Sequence, residues 1–200
     1  MKKFISLLLA LVMMLSLAAC GTGSEAKGGN DEKVENVIWD ELEKMGKIES
    51  ESGLFFVSIT LPADFVGSEI TQESLDKEKG EEYTSATLNP DGSVTYKMTK
   101  KQHKTMLDTL AESFDTGIQE IIDSPDFAFT EVTHNDDFTV FDAHISTEEV
   151  GIAESFMAVG FFVYGGIYAT FSGYGEQNIT VNFYSQSGKL LETVNSSDLE

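Results

Sequence analysis

The segment Ser155–Gly175, "SFMAVGFFVYGGIYATFSGYG", holds no charged residue in a chain of 200 residues whose formal net charge is −21. Its reading decides the fold, because it is either a membrane span or the helix around which other elements fold. Length alone permits a span, since roughly 20 apolar residues cross a hydrocarbon core about 30 Å thick. The composition argues otherwise. Leucine is absent, glycine and tyrosine recur, and Glu148, Glu149, Glu154 and Glu176 flank the segment with no lysine at either end to set an orientation. A span would also strand the last strands of the chain on the far side of the bilayer without a core. As a helix, the segment carries Phe161, Tyr164, Tyr168 and Phe171 in an aromatic ridge, with Ala158, Gly165, Ala169 and Ser172 on a face of small residues. A helix that is apolar all round is buried on most sides. Its expected place is the centre of the core. A sharper alternative leaves part of the ridge open as an aromatic groove for a ligand or a second copy. Gly165-Gly166 mark a point where such a helix can bend.

Outward from this segment, turn chemistry divides the chain into hairpins. On the C-terminal side "NITVNFYS" and "KLLETV" flank Gln186-Ser187-Gly188. On the N-terminal side "FAFTEVTH" and "FTVFDAHIS" flank a turn near Asn135-Asp136-Asp137. The clearest hairpin is "YTSATLNPDGSVTYKMT", where Pro90 presets φ and Gly92 supplies the positive φ that closes the turn. Directly after it, Thr99 stands three residues before Gln102, the spacing of a capping box. The helix it opens carries Leu107, Leu110, Phe114, Ile118 and Ile121 on one stripe and stops before Pro125. Gly117 weakens that helix by about 1 kcal/mol relative to Ala. Further upstream, Thr71 and Gly80 bracket an exposed, charged helix, and "GLFFVSITL" is the first strand, ended by Pro62. Val34, Ile38, Leu42 and Met45 fall at the spacing of a short amphipathic helix. The sum is an α+β fold: a single domain of antiparallel β-hairpins with two core helices packed on a sheet, as a two-layer sandwich.

The N-terminus speaks to location. Lys2 and Lys3 precede the apolar run Phe4–Leu17, and Leu17-Ala18-Ala19-Cys20 follows. A charged start, a short apolar core and a small-residue cleavage site define a secretory leader. Cys20 is the only cysteine, so disulfides, CxxC redox chemistry and thiolate metal clusters are excluded. Leu17-Ala18-Ala19-Cys20 resembles the lipobox of bacterial lipoproteins, which implies a leader over 1–19 and a lipidated Cys20 opening a flexible tether over 20–33, ahead of a globular domain over 34–200. The tether, "GTGSEAKGGNDEK", is rich in glycine and small polar residues. Two acyl chains on Cys20 would anchor it stably to a membrane.

Chemistry is harder to find. All thirteen basic residues are lysine, against thirty-four acids. Loss of the leader, with Lys2 and Lys3, takes the formal charge from −21 to −23. Such a charge repels polyanions and argues against nucleic acid as a partner. No HExxH, GxSxG, Walker loop or GxGxxG is present. No metal, cofactor or catalytic group is therefore expected, and Asp142, His144 and His134 read as solvent-facing strand residues. One feature inverts the background charge. Lys97, Lys100, Lys101 and Lys104 gather at the start of the capped helix, with His103 among them, at an end where the helix dipole is already positive. They form an anion-binding candidate for a phosphate, a carboxylate or an anionic wall polymer. The competing reading pairs them with neighbouring carboxylates such as Asp108.

The lipobox, together with "LPADFVG…TQESLD…SATLNPDGSVTYKMTKKQHKTM…ESF…YGG", resembles small lipoproteins of anaerobic Gram-positive bacteria, over nearly all of the mature domain. The resemblance implies a diacylglyceryl anchor at Cys20 and a position on the outer face of the cell membrane. It transfers no other site. Two functions stay open: a binding or interaction module for a wall polymer, small ligand or protein partner, and an extracytoplasmic hydrolase using surface carboxylates. Fractionated cells should yield the chain acylated in the membrane fraction; unacylated protein in the cytosol would overturn the anchor.

Overall fold

A computed structural model describes residues 48–66, 69–175 and 177–199. The leader, Cys20, the tether and the helix expected to carry Val34, Ile38, Leu42 and Met45 lie outside the described residues. The fold is α+β, as expected. Its strands are β1 (Glu49–Ser52), β2 (Phe56–Leu61), β3 (Ser85–Leu88), β4 (Val94–Thr99), β5 (Phe129–His134), β6 (Val140–Ile145), β7 (Thr180–Ser185) and β8 (Leu190–Asn195). Its helices are α1 (Ala63–Val66), α2 (Gln72–Glu78), α3 (Lys100–Asp123) and α4 (Ile152–Ser172). The strands are shared between two four-stranded sheets, ordered β1-β2-β4-β3 and β5-β6-β7-β8, rather than gathered in one. Two compact units follow. The first runs through Leu110 and takes in Thr170–Gly173, and the second comprises Ala111–Ala169 and the chain from Tyr174.

In the second unit, β5–β6 and β7–β8 are antiparallel pairs, but β6 and β7 run parallel, with Phe141 opposite Val181 and Ala143 opposite Phe183. A parallel pair cannot be joined by a tight turn and needs a crossover of a dozen or more residues. The uncharged segment, as α4, is that crossover. Phe141, Ala143, Ile145, Val181 and Phe183 alternate onto one face of the sheet and are buried there. Against that face Phe161 stacks on Phe141, ring centroids 5.1 Å apart, and meets Phe129 edge-on at 6.0 Å. Tyr164 lies flat on Phe114 of α3 at 4.5 Å, and Tyr168 reaches Phe138 at 4.9 Å. Each such pair adds about 0.5–1.5 kcal/mol beyond the area it buries. The helix that composition places in the core is held there by its aromatic side.

Phe138 departs from expectation. It belongs to the turn and not to the strand, with φ at +55°, and its ring is buried. The Asn135 side chain closes the loop by accepting from the Thr139 and Val140 amides at 2.8 and 3.1 Å, so the strand begins only at Val140. α4 runs unbroken through Gly165-Gly166. A Cβ on Gly165 would collide with the Phe138 carbonyl and stand 2.6 Å from Ile179 Cγ1, whereas one on Gly166 would meet nothing within 4 Å. Gly117 has a similar reason: its missing Cβ leaves room for the Tyr164 hydroxyl. At its start, α4 buries Glu154, whose carboxylate accepts from the Ala128 amide at 2.8 Å. At its end, Gly173 takes φ +79°, and the Gly173 and Tyr174 amides cap the Thr170 and Ala169 carbonyls in a Schellman arrangement.

The first unit holds an unexpected strand. Glu49 and Ser50, which precede the expected first strand, belong to β1, where Glu49 pairs with Thr60 and Ser50 with Ile59. A run of Glu and Ser has no apolar alternation to betray a strand, yet charge on an edge strand discourages pairing with other chains. The β3–β4 turn forms as expected, with Gly92 at φ +85° and its amide donating to the Asn89 carbonyl at 3.0 Å. Ser93 donates to Asp91 through both amide and hydroxyl, holding the Asp91 carboxyl below its ordinary range. Val57, Ile59 and Leu61 of β2 with Val94, Tyr96 and Met98 of β4 make the buried face.

The adjacent glycines of α4 should respond with opposite signs. Gly165→Ala should destabilise the fold by about 1–3 kcal/mol through overpacking. Gly166→Ala, into open space, should stabilise it by up to about 1 kcal/mol. Denaturant midpoints measure both.

Candidate functional site

In the first unit, β4 ends at Thr99 and α3 begins at Lys100. The capping box is formed in both directions. Gln102 Oε1 accepts from the Thr99 amide at 2.8 Å, and the Gln102 amide donates to Thr99 Oγ1 at 3.2 Å. Gln102 does more than cap: its Nε2 donates to the Gly80 carbonyl at 2.8 Å, and Thr84 Oγ1 donates to its Oε1 at 3.2 Å. One side chain thus pins the loop between α2 and β3 to the first turn of α3. That loop is braced again by the Gly80 amide on the Tyr83 carbonyl, 2.9 Å, and by the Tyr83 hydroxyl on the Leu75 carbonyl, 2.8 Å.

Between loop and helix lies an open hollow of about 640 Å³, bounded by Lys79, Glu81, Tyr83, Thr84, Thr99, Lys101, Gln102 and Thr105. Lys79 and Lys101 are exposed, so the hollow meets solvent with two ammonium groups, one carboxylate, three threonine hydroxyls and an amide. Tyr83 is buried and sits edge-on to Tyr96 at 5.1 Å. Burial, with Glu78 and Glu82 adding to it, pushes the Tyr83 hydroxyl up to about 12. Burial likewise raises Tyr96 well above the ordinary range and, in the second unit, pushes Tyr164 up to about 12.

The structure separates the four lysines. Only Lys101 borders the hollow. Lys104 is paired with Asp108 at 2.6 Å, the competing reading made good at that position. Lys97 stands over the Phe56 ring, 4.6 Å from its centroid, and Lys100 is exposed at the first position of α3. Sequence reasoning missed Lys79, which lies over twenty residues upstream of Lys101 and borders the hollow from the loop that Gln102 and Tyr83 hold; a lone lysine after a charged helix carries no signal.

The aromatic groove is corrected. Phe161, Tyr164 and Phe171 are buried and Tyr168 is half-buried, with Phe161 binding α4 to Phe141 and Phe129 and Tyr164 binding it to Phe114. The histidines have structural partners. His103 Nε2 donates to the Phe171 carbonyl at 2.7 Å. His134 stacks on Phe138 at 4.0 Å and lies 2.8 Å from Asp115 Oδ1, and His144 stacks on Tyr184 at 5.1 Å. Asp142 accepts from Asn182. Among the described residues, no three His, Cys, Asp or Glu side chains converge as a metal site would require.

Fold and site therefore define an α+β protein with a polar, lysine-bordered hollow at a helix start. No family model, no curated protein and no solved structure matches the chain.

The tyrosines set an alkaline limit. Their folded pKa values lie above the unfolded value of about 10, so their contribution to stability is complete below that pH and is lost as pH rises through 12. Tyrosinate absorbance should show Tyr83 and Tyr164 ionising only as the fold is lost.

Proposed function

We propose that the chain is an exported lipoprotein, held by a diacylglyceryl group on Cys20 at the outer face of the cell membrane, whose folded part is a binding module for an anionic ligand. The observation that carries this reading is the hollow at the start of α3, which Lys79 and Lys101 both border and whose loop Gln102 ties to the helix. Two cations bordering one cavity are unusual in a chain of formal charge −21. Ammonium groups bind phosphate or carboxylate oxygens as point charges and need no fixed fork geometry, which suits a polymer or a small anion alike. The leader pattern and lipobox support the location.

A hydrolase with paired carboxylates is less well supported. General acid–base work on a glycosidic bond takes two carboxyl groups flanking the bond, and among the described residues Glu81 is the sole carboxylate bordering the hollow.

Inorganic phosphate and poly(glycerol phosphate), titrated into the full chain and followed by calorimetry, test the reading. Each of Lys79→Gln and Lys101→Gln should weaken binding by roughly tenfold or more, the worth of one charge-assisted hydrogen bond. Lys104→Gln, whose charge is engaged by Asp108, should change little. An absence of binding by the parent, or affinity indifferent to Lys79 and Lys101, would overturn the assignment.

A further inference from the structure

The turn between β1 and β2 and the first residue of β2 carry three consecutive large apolar residues in the open: Leu54 is 81% exposed, Phe55 71% and Phe56 37%. Of the other large exposed apolar side chains, Ile152 and Phe156 stand one turn apart at the start of α4, while Val140, Tyr174 and Leu190 are scattered through the sequence, and isolated exposed apolar residues need no explanation. A hairpin tip of Leu-Phe-Phe does. It is a formed structure, since the Gly53 amide donates to the Phe56 carbonyl at 2.8 Å and Ser52 pairs with Val57.

What stands beside the tip identifies its partner. Phe56 is paired with Thr99, the last residue of β4, so the tip and the start of α3 share one end of the sheet. That end gathers cations in an otherwise acidic chain. Lys97 lies over the Phe56 ring, and Lys100 and Lys101 follow Thr99 directly. Both are exposed, and neither makes an ion pair among the described residues. Glu51 stands on the same outer face, two strand spacings from Lys97, roughly 10 Å. Apolar side chains at a projecting tip with ammonium groups set behind them are complementary to an anionic bilayer, in which acyl chains lie behind a layer of negative headgroups.

We propose that Leu54, Phe55 and Phe56 form a membrane-docking tip, inserting at the interface of an anionic phospholipid bilayer while Lys97, Lys100 and Lys101 meet its headgroups. The contact does not depend on acylation of Cys20, and of its three lysines only Lys101 also borders the hollow. In an anchored protein it would turn a tethered domain toward the bilayer in one fixed orientation.

A positional probe tests it. In the full chain carrying Cys20→Ser and Trp39→Phe, Phe55→Trp places the only tryptophan at the tip. With phosphatidylglycerol vesicles containing brominated acyl chains, its fluorescence should be quenched, and quenching should fall sharply with phosphatidylcholine vesicles or high salt. Changing Lys97, Lys100 and Lys101 together to Gln should lower vesicle affinity on the order of a hundredfold, about fivefold for each lysine. No quenching on phosphatidylglycerol would overturn the proposal. So would quenching independent of lipid charge and of the lysines, which would trace to the leader. A concentration-dependent blue shift without vesicles, with no quenching when they are added, would assign the tip to contact between copies and overturn it as well.

Discussion

The aromatic side of α4 (Ile152–Ser172) is the contact on which the second unit depends. Phe161 against Phe141 and Phe129, and Tyr164 flat on Phe114, join the helix to the sheet and to α3 at once. Because α4 is also the crossover between parallel neighbours β6 and β7, losing that seam would detach the connection that sets the strand order. Glycine works inside the seam as a space-maker. Gly165 admits the Phe138 carbonyl, and Gly117 admits the Tyr164 hydroxyl. The carbonyl at Gly165 and the Phe138 ring against Tyr168 come from one residue, held at positive φ by a loop that the Asn135 side chain closes. A turn, a helix and a sheet face are thereby fitted to one another through a few rings.

The first unit is organised differently, by hydrogen bonds at chain reversals. Gln102 caps α3 and secures the Gly80 carbonyl, Tyr83 reaches back to Leu75, and the Asn89–Ser93 turn is closed by Asp91 and Ser93. The Gln102 and Tyr83 links hold the α2–β3 loop at the end of β4, and the pairing of Phe56 with Thr99 sets the β1–β2 tip at the same end of the sheet. The hollow, the cations that border it and the apolar tip lie there together. The lysines at that end stand out against a chain of formal charge −21.

Much of this was legible in the residues themselves. The Thr99–Gln102 spacing, the Asn-Pro-Asp-Gly turn, Thr71 as a cap and the stop at Gly80 are local signals, and each formed where expected because its hydrogen bonds close within a few residues. The burial of the middle of Ser155–Gly175, from Met157 to Phe171, was legible for the same kind of reason, as an apolar helix between acidic flanks. The strand Glu49–Ser52 was not, since its pairing partner supplies the order and its own side chains supply none. Nor was the displacement of Phe138 into a turn, which follows from the bonds made by Asn135.

Local chemistry in the chain determined the turns, the caps, the helix that had to be buried and the acidic background with its lysine cluster. Tertiary structure alone decided that the strands form two sheets, that β6 and β7 run parallel, and that the ridge of Phe161, Tyr164 and Phe171 is core and not groove. It alone brought Lys79 to Lys101 and Phe56 to Lys97. The reason is range. A cap or a turn satisfies its own hydrogen bonds from neighbouring residues, whereas strand partnership and side-chain exposure depend on which distant surfaces can bury one another, and no short stretch of sequence carries that information.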